Sequence, residues 1–440
     1  MDDRSLAREI VRLAVPAFLA LIAEPLFLLA DSAIIGHLGT VALAGLGLAS
    51  AVLLTVVGVF VFLAYGTTAV VARQLGAGSR SGALAAGLDG TWLAIALGAL
   101  VAVPLALCAE PVCRAFGGSG AALAPAVSYL RVAAIGIPAM LVTLACTGVL
   151  RGLQDTRTPL AVSVAGFGAN IALNVLFVYG FHWGITGSAV GTVIAQAGMA
   201  AWLLAVLVRY AVRTRARVRP HPARVLAAAR GGVPLLVRTL ALRAVLVLTT
   251  WVAARLGVVS LAAYQVSATI WSFLAFALDA LAIAAQALTG KALGAGDAAE
   301  ARELTRLMVR WGLWCGVGLG VLLAVGHRVI PMVFTTDPQV RDAIAVGLLV
   351  VALSQPVSGV VFVLDGVLIG AGDARWLAWA MLVVLIVYVP MALAVHWAAP
   401  ASAPAALGYL WVAFTGFMLA RGAALLYRAR TDAWLVLGAD

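Results

Sequence analysis

The chain has 440 residues, 64% of them hydrophobic and 11% charged, with a mean hydropathy of +1.08. That is more apolar surface than a soluble core can hide, so a water-soluble fold is excluded and a bilayer is the expected solvent. The formal net charge of +11 would point to nucleic acid in a soluble protein; here its placement around the apolar runs decides its meaning.

Twelve apolar runs follow one another, most of them of about 20 residues or longer, the length a helix needs to cross roughly 30 Å of hydrocarbon. The first, 10–36, is too long for a signal-peptide core and lacks a small-residue cleavage site, so it is expected to stay as a span. It carries Pro16, Glu24, Pro25 and Asp31. Glu24 and Asp31 are two turns apart on one face, about 10 Å along the axis. The prolines each remove a backbone hydrogen bond and allow a bend, which would couple charge at Asp31 to the shape of the helix. Runs at 42–72, 84–108 and 123–148 come next. The fifth, 160–180, places Asn170 and Asn174 four residues apart on one face, and the sixth covers 185–208. A basic segment then carries Arg209, Arg213, Arg215, Arg217, Arg219, Arg224 and Arg230 with Pro220 and Pro222. Beyond it lie 233–256 with Arg238 and Arg243, 261–290 with Asp279 and Gln286, 308–327, 342–369 with Asp365, 376–397 and 405–427.

With a cytoplasmic N-terminus, the 29 Lys and Arg residues collect on the inner loops. Only Arg114, Arg255, Arg328 and Arg341 fall outside, and Arg131, Arg238 and Arg243 fall within spans. This positive-inside bias predicts a multi-pass protein of the cell membrane with both termini cytoplasmic, and reads the basic segment as an orientation determinant against anionic lipid headgroups rather than a nucleic-acid site.

The chain is also a duplicated half. At a constant offset of 218, Val15-Pro16 matches Val233-Pro234, Leu38-Gly39 matches Leu256-Gly257, and Leu75-Gly76-Ala77-Gly78 matches Leu293-Gly294-Ala295-Gly296. Pro138 matches Pro356, and Gly148-Val149-Leu150 with Gly152, Asp155 and Arg157 matches Gly366-Val367-Leu368 with Gly370, Asp373 and Arg375. Six spans per half, an even number, make the repeat parallel, with an axis along the membrane normal. The expected organisation is an N-terminal six-helix lobe at 1–208, a cytoplasmic linker at 209–230 and a C-terminal six-helix lobe at 231–440. Duplicated membrane halves of this kind enclose a substrate path near the midplane in transporters.

An ionised carboxylate at bilayer depth costs about 2.5–3.5 kcal/mol or more, so each acid inside a span needs a partner, water or a proton. Asp31 is therefore the first candidate for proton coupling and Glu24 the second, although either could simply bond to nearby backbone. Asn170 and Asn174 are candidate cavity residues or interhelical glue. Asp279 and Gln286 are further cavity candidates and Asp365 a possible cation site, while Arg238 and Arg243 offer static ion pairs instead. Trp271, Phe273 and Phe276 beside Asp279 could meet a flat lipophilic cation through their ring faces, or only pack. Nothing resembles a nucleotide loop, a zinc-protease helix or another catalytic motif. Leu75-Gly76-Ala77-Gly78 reads as turn chemistry, and Cys108, Cys113, Cys146 and Cys315 lack metal-like pairing and read as free thiols. The expectation is a monomeric non-enzyme without metal or cofactor, driven by an ion gradient.

The strings Ala23-Glu24-Pro25-Leu26, Asp31-Ser32-Ala33-Ile34-Ile35-Gly36-His37-Leu38-Gly39, Leu150-Arg151-Gly152-Leu153-Gln154-Asp155-Thr156-Arg157-Thr158-Pro159 and Asn170-Ile171-Ala172-Leu173-Asn174 resemble the multidrug and toxic compound extrusion (MATE) family over essentially the whole chain. The Glu-Pro of the first span and Leu364-Asp365-Gly366-Val367-Leu368-Ile369-Gly370 look most like its DinF-like branch. The resemblance implies an all-α membrane protein, twelve helices in two six-helix bundles forming a V, that expels lipophilic, often cationic compounds against H+ by alternating access. A Na+-coupled exporter and a flippase for lipids or lipid-linked precursors are the alternatives. Asp31 matches the family's first-span proton-binding acid, Asn170 a polar cavity residue and Asp365 a tenth-span acid used elsewhere in cation coupling. Asn174 departs from relatives with Asp there, and the seventh-span Glu associated with the tenth-span acid is not evident near 243–249.

Overall fold

A computed structural model describes residues 3–398 and 402–438, and every regular element among them is helical. The first half comprises α1 (Asp3–Gly36), α2 (Thr40–Val59), α3 (Phe62–Gly76), α4 (Arg80–Leu107), the short α5 (Ala109–Ala115), α6 (Leu123–Ala134), α7 (Ile137–Gly152), α8 (Arg157–Val175) and α9 (Gly184–Arg213). The second comprises α10 (Pro222–Arg255), α11 (Val258–Gly294), α12 (Ala298–Gly326), the short α13 (Ile330–Phe334), α14 (Pro338–Gly370), α15 (Ala374–Ala398) and α16 (Ala403–Arg430). Among the described residues, eleven helical stretches, counting α2 and α3 as one, are long and apolar enough to cross a membrane. A twelfth is the pair α6–α7, bent by 53°. The described residues fall into two compact units, Val11–Val233 and Pro234–Gly438, the second also taking in residues 3–10.

The sequence repeat is a repeat of helix crossings. Without a hydrophobic force between helices in lipid, close approach depends on small residues that let backbones touch. Gly98 of α4 faces Pro138 of α7 so closely that an added Cβ would sit 2.5 Å from the proline Cα; 218 residues on, a Cβ on Gly316 of α12 would sit 2.9 Å from the Cα of Pro356 in α14. Likewise, a Cβ on Gly148 of α7 would lie 2.4 Å from the Ala64 carbonyl oxygen of α3, and one on Gly366 of α14 would lie 2.3 Å from that of Ala282 in α11. The Thr68 hydroxyl reinforces the first of these crossings by donating to the Gly148 carbonyl at 2.9 Å. The Leu-Gly-Ala-Gly strings cap α3 and α11, with Gly78 and Gly296 at φ 80° and 78°, the left-handed conformation that only glycine adopts cheaply.

The halves differ in regularity. In the first unit the second span breaks between Val59 and Phe62, the fourth bends before Ile137, and the fifth ends in a π-turn at Leu176–Gly180. In the second unit, α11 and α14, the counterparts of the two broken spans, run through unbroken. The basic segment at 209–230 is mostly helix: α9 continues to Arg213 and α10 starts at Pro222, because charged residues leave the membrane without leaving the helix.

Candidate functional site

Asp31 lies in the last two turns of α1 and is 3% exposed. Pro25, six residues earlier, lacks the N–H that the Leu21 carbonyl would otherwise receive, which weakens the helix just before the carboxylate. Phe27 fixes the intervening turn by stacking on Phe167 of α8, with ring centroids 5.1 Å apart.

Two antiparallel helices supply the partners. Asn174 Nδ2 of α8 donates to Asp31 Oδ1 at 2.7 Å, and the Ser188 hydroxyl of α9 donates to the same oxygen at 2.8 Å. One turn away, Asn170 Nδ2 donates to the Thr192 hydroxyl at 3.1 Å. Each step of four residues up α8 is matched by four down α9, so these contacts are successive rungs of one helix pair. The rungs are close because α9 carries glycine between them: a Cβ on Gly191 would stand 2.2 Å from Asn174 Oδ1. The buried Tyr129 of α6 brings its hydroxyl to Ser188 and Thr192 and completes the cluster.

The site is rich in acceptors. Among the described residues, Asn170 Oδ1 and Asn174 Oδ1 are both buried without a hydrogen-bond partner, which leaves them open to a donor or a cation. No arginine or lysine pairs with Asp31 among the described residues, whereas the other buried acids are matched by guanidinium groups. Asp89 of α4 is held by Arg217 through both carboxylate oxygens, at 3.0 and 2.8 Å. In the second unit Asp365 is gripped by Arg238 of α10, and Arg421 of α16 adds a contact at 3.1 Å.

The structure thus unites three of the sequence-predicted residues, Asp31, Asn174 and Asn170. Glu24 lies two turns earlier on α1, exposed and without a hydrogen bond or ion pair among the described residues. Asp279 and Gln286 lie on α11 in the second unit, the first half-buried and the second buried with its backbone carbonyl against Gly370. Of the aromatic residues near Asp279, Trp271 packs edge-on against Phe414, and Phe273 against Phe276. Sequence reasoning missed Ser188, Thr192, Tyr129 and Arg421. A signal for the first pair was present: Ser188 and Thr192 repeat the four-residue spacing of Asn170 and Asn174 on the next span.

The MatE family model matches residues 16–176 and again 234–394, the second match beginning and ending 218 residues after the first. The chain belongs to the MatE family. Among curated relatives of this MatE protein, DNA damage-inducible protein F of Escherichia coli (strain K12) is 30% identical over 94% of this chain and 90% of its own length. Protein DETOXIFICATION 44, chloroplastic, of Arabidopsis thaliana is 33% identical over 86% of this chain and 74% of its own. The Vibrio cholerae MATE transporter VcmN has the same fold, with a TM-score of 0.88 at 21% identity over 98% of this chain and 99% of that one. A MATE structure in the bent conformation and a MATE structure in the straight conformation align at TM-scores of 0.87 and 0.86, each at 20% identity over 98% of this chain and over 96% and 97% of those chains. The all-α, multi-pass membrane fold and the DinF likeness expected from the motifs stand with the family, whose members are transporters.

Proposed function

We propose that this MatE protein is a secondary active exporter of small amphipathic, often cationic compounds, and that protons drive it through Asp31. One observation carries the reading. Of the buried carboxylates, Asp89 and Asp365 have arginine partners, whereas among the described residues Asp31 has only the neutral donors Asn174 and Ser188. A carboxylate held this way at membrane depth needs a transferable positive charge, and a proton is the smallest. For an uncharged substrate exchanged for one proton, a membrane potential of about 100 mV supplies roughly 2.3 kcal/mol, enough to sustain about a fifty-fold concentration ratio.

Proton uptake removes the charge that holds the two donors, and the proline-weakened α1 is the element free to respond by bending. In this reading Glu24 is a second proton carrier on the same helix, Asn170 and Asn174 line the path, and the termini face the cytoplasm. Asp365 is an ion-pair centre of the second unit rather than a cation site, since two guanidinium groups occupy its carboxylate.

A sodium-coupled exporter is the second reading, favoured by the buried amide oxygens of Asn170 and Asn174, which a cation bound at Asp31 would satisfy. The test is efflux of a fluorescent lipophilic cation from proteoliposomes, under a proton gradient or a sodium gradient. Proton-driven efflux is expected from the wild type and only leak from Asp31→Asn. Efflux that needs sodium and no proton gradient moves the assignment to the second reading, and full efflux by Asp31→Asn removes Asp31 from coupling altogether.

A further inference from the structure

The last four carbonyls of a helix have no intrahelical donor and must be satisfied otherwise. At the C-terminal end of α1, three find local partners. The Ala33 carbonyl lies 2.7 Å from His37 Nδ1, the Ile35 carbonyl accepts from the Leu38 N–H at 3.0 Å, and the Gly36 carbonyl accepts from the Gly39 N–H at 3.2 Å. The fourth partner comes from elsewhere in the chain: the Tyr179 hydroxyl donates to the Ile34 carbonyl at 2.5 Å, across 145 residues of sequence.

Tyr179 reaches α1 because Leu176–Gly180 is a π-turn. In an uninterrupted α-helix, residue 179 would lie about 140° around the axis from Asn174. A π-turn bonds residue i to i+5, as the Phe181 N–H does to the Leu176 carbonyl at 2.9 Å, and so rotates less per residue than an α-helix, which brings residue 179 nearer to the Asn174 face. Asn174 and Tyr179 therefore address α1 together, one at Asp31 and the other at Ile34, three residues apart on one face. The turn is itself braced: the Trp183 N–H bonds the Phe177 carbonyl at 3.0 Å, and the two rings stack with centroids 5.2 Å apart. Gly187 of α9 admits the Phe177 backbone so closely that a Cβ there would lie 2.9 Å from its carbonyl.

We propose that Tyr179 is a positioning residue, whose hydroxyl, aimed by the π-turn, tethers the end of α1 and so sets how Asp31 meets Asn174 and Ser188. Return of the turn to α geometry would withdraw the hydroxyl and release the end of α1 without touching the carboxylate. The tether stands on its own geometry; its consequence for transport rests on the coupling role of Asp31.

Tyr179→Phe removes the hydroxyl and nothing else, at a side chain already 39% exposed. In the full-length protein in liposomes, loss of one hydrogen bond should speed hydrogen–deuterium exchange of the amides of residues 35–39 by about five- to tenfold. Efflux Vmax should fall while the KM for the lipophilic cation stays constant, because the lost hydroxyl acts on the end of α1. Wild-type exchange in Tyr179→Phe overturns the tether. Faster exchange with unchanged Vmax, or a change in KM instead, overturns the positioning role. Asp31→Asn separates the two readings: if it retains efflux, the coupling reading fails, and the tether is still decided by exchange alone. Gly187→Ala, which displaces the Phe177 backbone and hence the turn, should give the same exchange signature without altering Tyr179.

Discussion

Gly191 is the position at which a single methyl group most directly meets the candidate site. Its Cβ would lie 2.2 Å from Asn174 Oδ1, a side-chain end that can swing away, so Gly191→Ala should displace the amide and break its bond to Asp31 rather than unfold the bundle. The expected result is near-normal thermal stability with efflux reduced at least tenfold; normal efflux would mean that the Asn174–Asp31 bond is dispensable. Asp365 behaves in the opposite way. Removing it leaves Arg238 and Arg421 buried with their shared counter-charge gone, a change that typically costs about 3–5 kcal/mol. Asp365→Ala should therefore lower the thermal midpoint in detergent sharply, and an unaltered midpoint would show that the guanidinium groups are satisfied without it. Both acids stood out in the sequence as carboxylates inside apolar runs, and the charge of their neighbours, neutral at Asp31 and positive at Asp365, separates them.

At the scale of helices, the repeated glycines make a prediction that needs both halves. Gly148 and Gly366 occupy equivalent crossings, each against a backbone carbonyl that cannot move without its helix. Gly148→Ala and Gly366→Ala should each destabilise by about 1–3 kcal/mol, the usual cost of overpacking, and by similar amounts. A large loss from only one of them would show that the shared register does not carry a shared crossing. The register was legible in the sequence because glycine and proline identities persist where backbones touch, and the twelve spans were legible because hydrocarbon thickness sets helix length. Helix ends in the 209–230 segment were not, since hydropathy marks where the membrane stops and Arg209 to Arg213 remain helical beyond it. The bend before Ile137 had its cue in Gly136 and Pro138, yet Pro356 at the matching place leaves α14 continuous, so the residue type alone did not decide. In the site, Asp31 and the asparagines stood out as polar residues in apolar runs. Ser188, Thr192 and Tyr179 did not, because hydroxyls are ordinary in such helices and only the pairing of α8 with α9, or a π-turn, gives them a target.

Across the whole molecule, duplication has produced matching helix crossings with unequal fastenings. After the last long helix of each half the chain folds back onto corresponding helices, α4 in the first unit and α12 in the second. In the first, Arg217 grips the buried Asp89 and Trp92 Nε1 donates to the Val218 carbonyl at 3.0 Å. In the second, the polarity is exchanged: Arg302 sits on the helix and Asp432 on the returning segment, 2.8 Å apart, with Trp434 buried and the Gly438 N–H bonded to the Leu293 carbonyl. Solvent decides what each pair is worth. Asp89 is shielded, so Arg217→Ala strands a carboxylate and should cost about 2–3 kcal/mol, below the fully buried range because a third of Arg217 is exposed. Arg302 and Asp432 are 43% and 77% exposed, and an exposed pair contributes at most about 1 kcal/mol, so Arg302→Ala should be nearly neutral. Thermal unfolding of the two variants in detergent compares them directly. Equal losses would mean that the apolar contacts of each segment, not its ion pair, hold it down; the expected inequality places the stronger fastening in the unit that also holds Asp31 and the broken helices, the fixed frame that the proposed bending of α1 requires.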